Sequence, residues 1–184
     1  MMAAELDGKR TSLLHEFVPA ARRIAILTGR QPRHAEGAEE AQRVARELGL
    51  KTDVFYADEP ADYVAAFADM GVARSEALVI ISAPDFFRDA ALLSRLALEA
   101  GLPTVCEWAS MARDGCLIGY GPKFAELWRR PADYVARILR GAKPGELPIE
   151  QPALFDFAVN LKTAQALGLT IPESALQRAD EVFE

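Results

Sequence analysis

The chain has 184 residues, 51% of them hydrophobic and 26% charged, a balance that suits a globular fold with one real core and excludes a disordered chain. Its 21 basic and 27 acidic residues leave a net charge of −6, which argues against a nucleic-acid surface, because phosphate binding needs a basic face that releases counterions. The longest apolar runs, such as 77–83, fall far short of the roughly 20 residues that span a bilayer.

In chain order, residues 5–18 place Leu6, Leu13, Leu14, Phe17 and Val18 at helical spacing before Pro19, and RRIAILTG then reads as a short buried strand over 23–28. EGAEEAQRVARELGL is an amphipathic helix: Ala41, Val44, Ala45 and Leu48 share one face, and Gly49 supplies the stop. TDVFYA follows as a second strand. ADYVAAFADMG is a helix expected to turn Val64, Phe67 and Met70 to the core. ALVIISA, over 77–83, is continuously apolar, the pattern of a central parallel strand buried on both faces. A helix over 86–100 leads to strand PTVCEW and, after a turn or short helix, to strand CLIGYG. Strands alternating with helices at this spacing predict an α/β fold, a doubly wound parallel sheet with right-handed crossovers, complete over 20–121.

Beyond it, a helix is expected from about Lys123 to Arg140 with Phe124, Leu127, Val135, Ile138 and Leu139 as its apolar stripe. Pro131 either kinks that helix or starts a second one. GAKPGELPIEQPA reads as an extended connector. Phe155, Phe157 and Val159 alternate with Asp156 and Ala158 as a half-buried strand; Asn160 is placed to cap a short helix that ends at Gly168. PESALQRADEVFE is expected to close the chain as a helix begun by Pro172. The division that follows is an α/β lobe over 1–121 and a C-terminal part over 122–184.

Cys106 and Cys116 are the only cysteines and match no zinc spacing. Each lies in or beside an apolar run, so buried or free structural thiols are expected, with a disulfide as the lesser reading. His15 and His34 are read as solvated or capping side chains.

In an open α/β sheet, ligands bind beyond the carboxyl ends of the strands. Those ends carry Thr28 with Gly29 and Arg30, Ala57 with Asp58, Ser82 through Asp85, Glu107 with Trp108, and Tyr120 with Gly121 and Pro122. The first of these loops has neither a dinucleotide glycine triplet nor a phosphate-binding GK[ST], and no serine or cysteine sits in a G-x-S-x-G elbow. The reading is therefore not an enzyme, with no cofactor and no metal. The set instead suits binding: Arg30 offers a carboxylate fork, Asp85 and Glu107 offer anionic partners for an ammonium, and Trp108, Tyr120 and Phe86 offer aromatic surface.

Three motifs carry a resemblance: YGP at 120–122, the ADYV-x-x-ILRGAKP-x-x-LP-x-EQP run, and NLKTA-x-ALGLTIP. Together they resemble the C-terminal part of the ABC-transporter substrate-binding proteins whose members include tryptophan and tyrosine binders. The resemblance implies a Rossmann-like lobe of a type I periplasmic binding protein plus C-terminal crossover segments, with a small amino-acid-like solute as ligand and an ABC permease as partner. It places Tyr120 at the lobe crossover and Ser82 at the end of the central strand, where relatives often continue Asp-Pro but this chain reads Ala83-Pro84-Asp85. It also implies a periplasmic location, whereas MMAAELDGKRTSLL shows no secretory signal pattern. A cytoplasmic single-lobe sensor or protein-interaction module is the alternative. Family members begin with a first lobe, so the chain is expected to be a truncated relative whose 123–141 helix and 154–160 strand expose an apolar patch that includes Trp128. A homodimer, or a partner over that surface, is the corresponding expectation.

Overall fold

A computed structural model describes residues 2–184. Its centre is one seven-stranded sheet in the order β2-β1-β3-β4-β5-β6-β7. The strands are β1 (Arg23–Thr28), β2 (Lys51–Tyr56), β3 (Ala77–Ile80), β4 (Thr104–Cys106), β5 (Ile118–Pro122), β6 (Phe155–Asn160) and β7 (Glu181–Phe183). The helices are α1 (Met2–Phe17), α2 (Ala35–Glu47), α3 (Pro60–Val72), α4 (Pro84–Arg88), α5 (Ala90–Glu99), α6 (Ala109–Arg113), α7 (Phe124–Leu139), α8 (Leu161–Ala166) and α9 (Glu173–Leu176). β1 to β5 are parallel, as their βα alternation demands, whereas β6 returns antiparallel to β5 and β7 runs parallel to β6.

The sheet is covered on both faces because β3 is apolar at every position and β1 over Ile24 to Leu27. Ile24 and Ile26 of β1, with Val79 of β3, face a core closed by Leu14 and Phe17 of α1 and by Ala41 and Ala45 of α2. Ala25, Leu27, Leu78 and Ile80 face the opposite core, filled by Tyr63, Phe67 and Met70 of α3 and Leu93 of α5. The buried face of α3 is thus Tyr63, Ala66, Phe67 and Met70, at i, i+3, i+4, i+7 spacing, and Val64, expected inside, is 58% exposed. The helix expected over 86–100 is two helices. They break at Asp89, whose carboxylate accepts the Tyr63 hydroxyl at 2.9 Å.

The C-terminal part is tied to this frame by specific polar contacts. Asn160 caps α8 as its position suggested: Oδ1 accepts the Thr163 N–H at 2.9 Å, and Nδ2 donates to the Ala112 carbonyl at 2.7 Å. The expected closing helix, by contrast, stops after one turn, and the chain extends into β7. The open edge of β6 decides this. The Asp180 N–H donates to the Phe157 carbonyl at 2.7 Å, while the Phe157 N–H donates to Asp180 Oδ2 at 2.8 Å. Pairing with an unsatisfied sheet edge outweighs the marginal propensity of a short isolated helix.

α7 runs unbroken through Pro131 and has no buried residue. The connector after it is held to the helix, with the Tyr134 hydroxyl donating to the Pro148 carbonyl at 2.6 Å and Arg130 donating to the Gln151 carbonyl at 2.9 Å. No helix among the described residues is long and apolar enough to cross a membrane.

The cysteines overturn their expectation: Cys106 and Cys116 form a disulfide with Cα atoms 6.5 Å apart. β4 and β5 are parallel neighbours, and the short α6 excursion between them brings the chain back so that both sulfurs meet in the buried interior. Sequence spacing carries no such information, because the meeting depends on strand register.

Candidate functional site

The topology reverses between β1 and β3, and the crevice beyond the strand ends at such a point is where open α/β sheets bind ligands. On that edge the chain builds a polar cluster from below and an aromatic surface beside it.

The cluster is organised by Arg10 of α1, whose side chain is 1% exposed. Its Nη1 donates to Asp7 Oδ1 at 2.6 Å and to Ser82 Oγ at 2.8 Å, its Nε donates to the Tyr120 carbonyl at 2.7 Å, and its Nη2 reaches the Glu107 carbonyl at 3.4 Å. One buried guanidinium therefore ties α1 to the ends of β3, β4 and β5. The approach requires glycine on β5: a methyl group on Gly121 would collide with the Glu107 carbonyl, and one on Gly119 with that of Trp108.

Burial pushes the Asp7 carboxyl above its ordinary range, against the lowering effect of Arg10. Burial also raises the Glu107 carboxyl; Arg10 opposes this, Asp7 adds to it, and the Ser82 hydroxyl and Trp108 indole favour the charged form through hydrogen bonds. Asp7 and Arg10 escaped the sequence reading. The available signal was their place in the stripe Asp7, Arg10, Leu14, Phe17, which puts two charges on the buried face of a helix.

Beside the cluster, Trp108 packs edge-on against Phe124 with centroids 5.3 Å apart and against Phe87 at 6.3 Å, and Phe87 stacks on Phe124 at 6.2 Å. These rings line a hollow of about 270 Å³ together with Arg113, Asp156 and Glu181. The Tyr120 ring stacks on Phe155 at 5.9 Å, interplanar angle 10°. The disulfide sits under this surface, at the base of the loop that carries Glu107 and Trp108.

Of the residues singled out from the sequence, Ser82, Glu107, Trp108 and Tyr120 are brought together here. Phe86 is not: it is buried against Tyr63 with centroids 5.9 Å apart, and its neighbour Phe87 takes the exposed aromatic position. Asp85 pairs with Arg88 at 2.8 Å. Arg30 lies at a separate hollow of about 310 Å³ beside buried Thr28, its guanidinium already paired with Asp58 and Asp62. A hollow of about 140 Å³, lined by Asp7, His34, Gly37, Ile81 and Ser82, lies at the switch point itself. His34 is buried there rather than solvated; it makes no side-chain cap, its Nε2 accepts from Arg33 Nε at 3.1 Å, and burial pushes its imidazole below the usual range. Among the described residues no His, Cys, Asp and Glu are grouped to hold a metal ion. The strand-end edge thus offers an aromatic hollow beside a buried polar cluster.

Comparison with known proteins places these observations. The family model for ABC transporter substrate binding proteins matches residues 3–183. Among solved structures, a conserved domain protein from Vibrio cholerae O1 biovar El Tor superposes with a TM-score of 0.84 at 24% identity, covering 96% of this chain and 60% of that one. A structure from Streptococcus pneumoniae, described as the ABC domain in complex with L-Trp, superposes at 0.86 with 21% identity over 96% of this chain and 60% of that one. A ligand-free, open substrate-binding protein with adhesive properties from Clostridium difficile superposes at 0.68 with 18% identity over 95% and 59%. The chain thus spans about three fifths of the length of these structures. No curated protein sequence matches it.

Proposed function

The chain belongs to the ABC transporter substrate-binding protein family, and on that premise we propose that it supplies one wall of a solute cleft that delivers an amino-acid-like molecule to an ABC permease. The wall is the edge built by Ser82, Glu107, Trp108 and Tyr120. The observation that carries this reading is the pairing of an apolar aromatic surface at Trp108, Phe87 and Phe124 with the desolvated carboxyl of Glu107, since an amino acid presents both an apolar group and a charge. The L-Trp complex of the pneumococcal structure supports the same ligand class. The Cys106–Cys116 disulfide supports an oxidising location such as the periplasm over the cytoplasm, because cytosolic thiols are kept reduced.

A thermal-shift panel of the chain against the common amino acids at millimolar concentration tests the proposal. An aromatic or branched amino acid is expected to raise the midpoint by several degrees, because a ligand at 100 times its Kd adds about 2.7 kcal/mol to the folded state. Trp108→Ala is expected to weaken that ligand by about 2 kcal/mol, or roughly 30-fold, the scale of an aromatic anchor. A flat panel overturns the reading.

The same proposal includes self-association. α7 buries no residue, and its Trp128 and Leu139 are 70% and 82% exposed. Phe124, Val135 and Ile138 of the same helix are exposed as well, a set of large apolar side chains that suits a contact with a second surface. Light scattering at micromolar concentration is expected to give a mass above the monomer, and Trp128→Glu combined with Leu139→Glu is expected to return it to the monomer value. A monomeric parent chain counts against it.

A further inference from the structure

Helix α2 begins at a buried histidine. His34 stands immediately before its first turn and is 5% exposed, and its ring lies against Gly29, where an added methyl group would sit 2.3 Å from Nδ1. Nε2 accepts from Arg33 Nε at 3.1 Å, so the ring is neutral and carries its proton on Nδ1, which is buried without a hydrogen-bond partner. The same ring lines the hollow of about 140 Å³ at the switch point, together with Asp7, Gly37, Ile81 and Ser82. It packs the turn from Gly29 to His34 down beside the polar cluster, since Ser82 is also gripped by the buried Arg10.

The groups around the ring leave no place for a second proton. Arg33 on one side and the positive end of α2 on the other both repel an imidazolium. Asp58 after β2 and Asp85 of α4 attract one, but each is already engaged: Asp58 accepts the Arg30 N–H at 3.0 Å and its guanidinium at 3.2 Å, and Asp85 is paired with Arg88 at 2.8 Å. Asp7 of α1 is paired with Arg10 at 2.6 Å, and Glu36 of α2 lies at the exposed rim of the hollow. Burial and Arg33 outweigh Asp58, Asp85 and the Gly29 backbone, so the folded ring takes up its proton below the ordinary 6.5.

On protonation, Nε2 turns from acceptor to donor beside a guanidinium, and a buried charge without a partner is relieved by moving to water. We propose that His34 is an acid-operated latch: neutral, it holds the 29–34 turn closed at the switch-point hollow, and once protonated it swings out to solvent, frees that turn and opens the hollow to water. The latch does not depend on the solute-binding reading above. Because the folded ring is harder to protonate than the unfolded one, its contribution to stability is full above 6.5 and is lost as pH falls through the folded value. The closed turn therefore belongs to neutral pH and the open one to mild acid.

NMR titration of the His34 ring on the unaltered chain, with amide hydrogen exchange over residues 29–34 corrected for its intrinsic pH dependence, tests this. The ring is expected to titrate below 6.5, and exchange in the turn to quicken at least tenfold in acid with the same midpoint. His34→Gln, which keeps a neutral acceptor for Arg33, is expected to hold the turn closed at both extremes. Gly29→Ala, which crowds the ring out, is expected to leave the turn open at both and to return the ring to about 6.5, the value of a solvated histidine. If exchange in the turn ignores acid, if its midpoint differs from that of the ring, or if His34→Gln keeps the acid response, the proposal falls while the solute-binding reading stands. Should His34→Gln not fold, the match of the two midpoints on the unaltered chain decides.

Discussion

Replacing Arg10 by alanine is expected to destabilise the fold by about 3–5 kcal/mol, the scale for removing one partner of a buried ion pair. The guanidinium is 1% exposed and satisfies one acceptor on α1, Asp7, and one at each of three separate strand ends, fixing α1 over them. Its loss leaves Asp7, whose side chain is as deeply buried, without a counter-charge. For a chain of this length the midpoint is expected to fall by about 6–20 °C, at 2–4 °C per kcal/mol. The variant should also carry a pH signature. With Arg10 gone, burial of the Asp7 carboxyl is opposed only by the hydrogen bonds from Ser82, and the carboxyl rises further above its unfolded value. A raised carboxyl stabilises the fold fully below the unfolded value near pH 4 and loses that contribution as pH rises through the folded one. Arg10→Ala is therefore expected to regain stability toward pH 4 relative to pH 7. Asp7→Leu combined with Arg10→Met should recover only part of the loss, because Ser82 and the carbonyls of Tyr120 and Glu107 stay unpartnered. Urea unfolding at both pH values checks this, and a change under 1 kcal/mol in Arg10→Ala would show that the cluster is peripheral.

The disulfide gives the second large effect. Cys106 and Cys116 close a loop of 10 residues in sequence separation, for which the chain-entropy model gives about 2.5–3 kcal/mol of stabilisation. Cys106→Ser combined with Cys116→Ser, or full reduction, is expected to lower the midpoint by about 5–12 °C. Both sulfurs are buried, so the serine hydroxyls also need partners and the change sits toward the upper end. The loop inside the bridge carries Glu107 and Trp108, so solute affinity should fall together with stability. A midpoint that does not move on reduction, with the thiols shown to be free, would mean that packing alone holds the loop.

How far each feature could be read in advance follows from the range of the interactions that set it. The strand at 23–28, the helix after β1 and the Asn160 cap rest on periodicity and on contacts within four residues, and all are present; the strand expected over 77–83 is present over 77–80. The last strand, the break at Asp89 and the buried face of α3 were misjudged where a partner distant in sequence decides: the open edge of β6 for Asp180 to Phe183, and Tyr63 for Asp89. In the candidate site, Ser82, Glu107, Trp108 and Tyr120 were legible because strand ends on a parallel sheet must converge. Arg10 and Asp7 were not singled out, since a charged pair on an N-terminal helix reads as solvated until that helix is seen to lie over three strand ends. Phe86 and Phe87 are adjacent and chemically identical, and only the turn of α4 selects which ring faces the edge.

By itself the sequence determined the doubly wound α/β lobe, its strand ends and its family resemblance, because hydrophobic period and turn residues are local properties. Only the tertiary structure decided the Cys106–Cys116 bridge, the seventh strand and the burial of Arg10. Each of these depends on which groups from distant parts of the chain meet where water is excluded, and it is there that one missing partner or one spare charge is worth several kcal/mol.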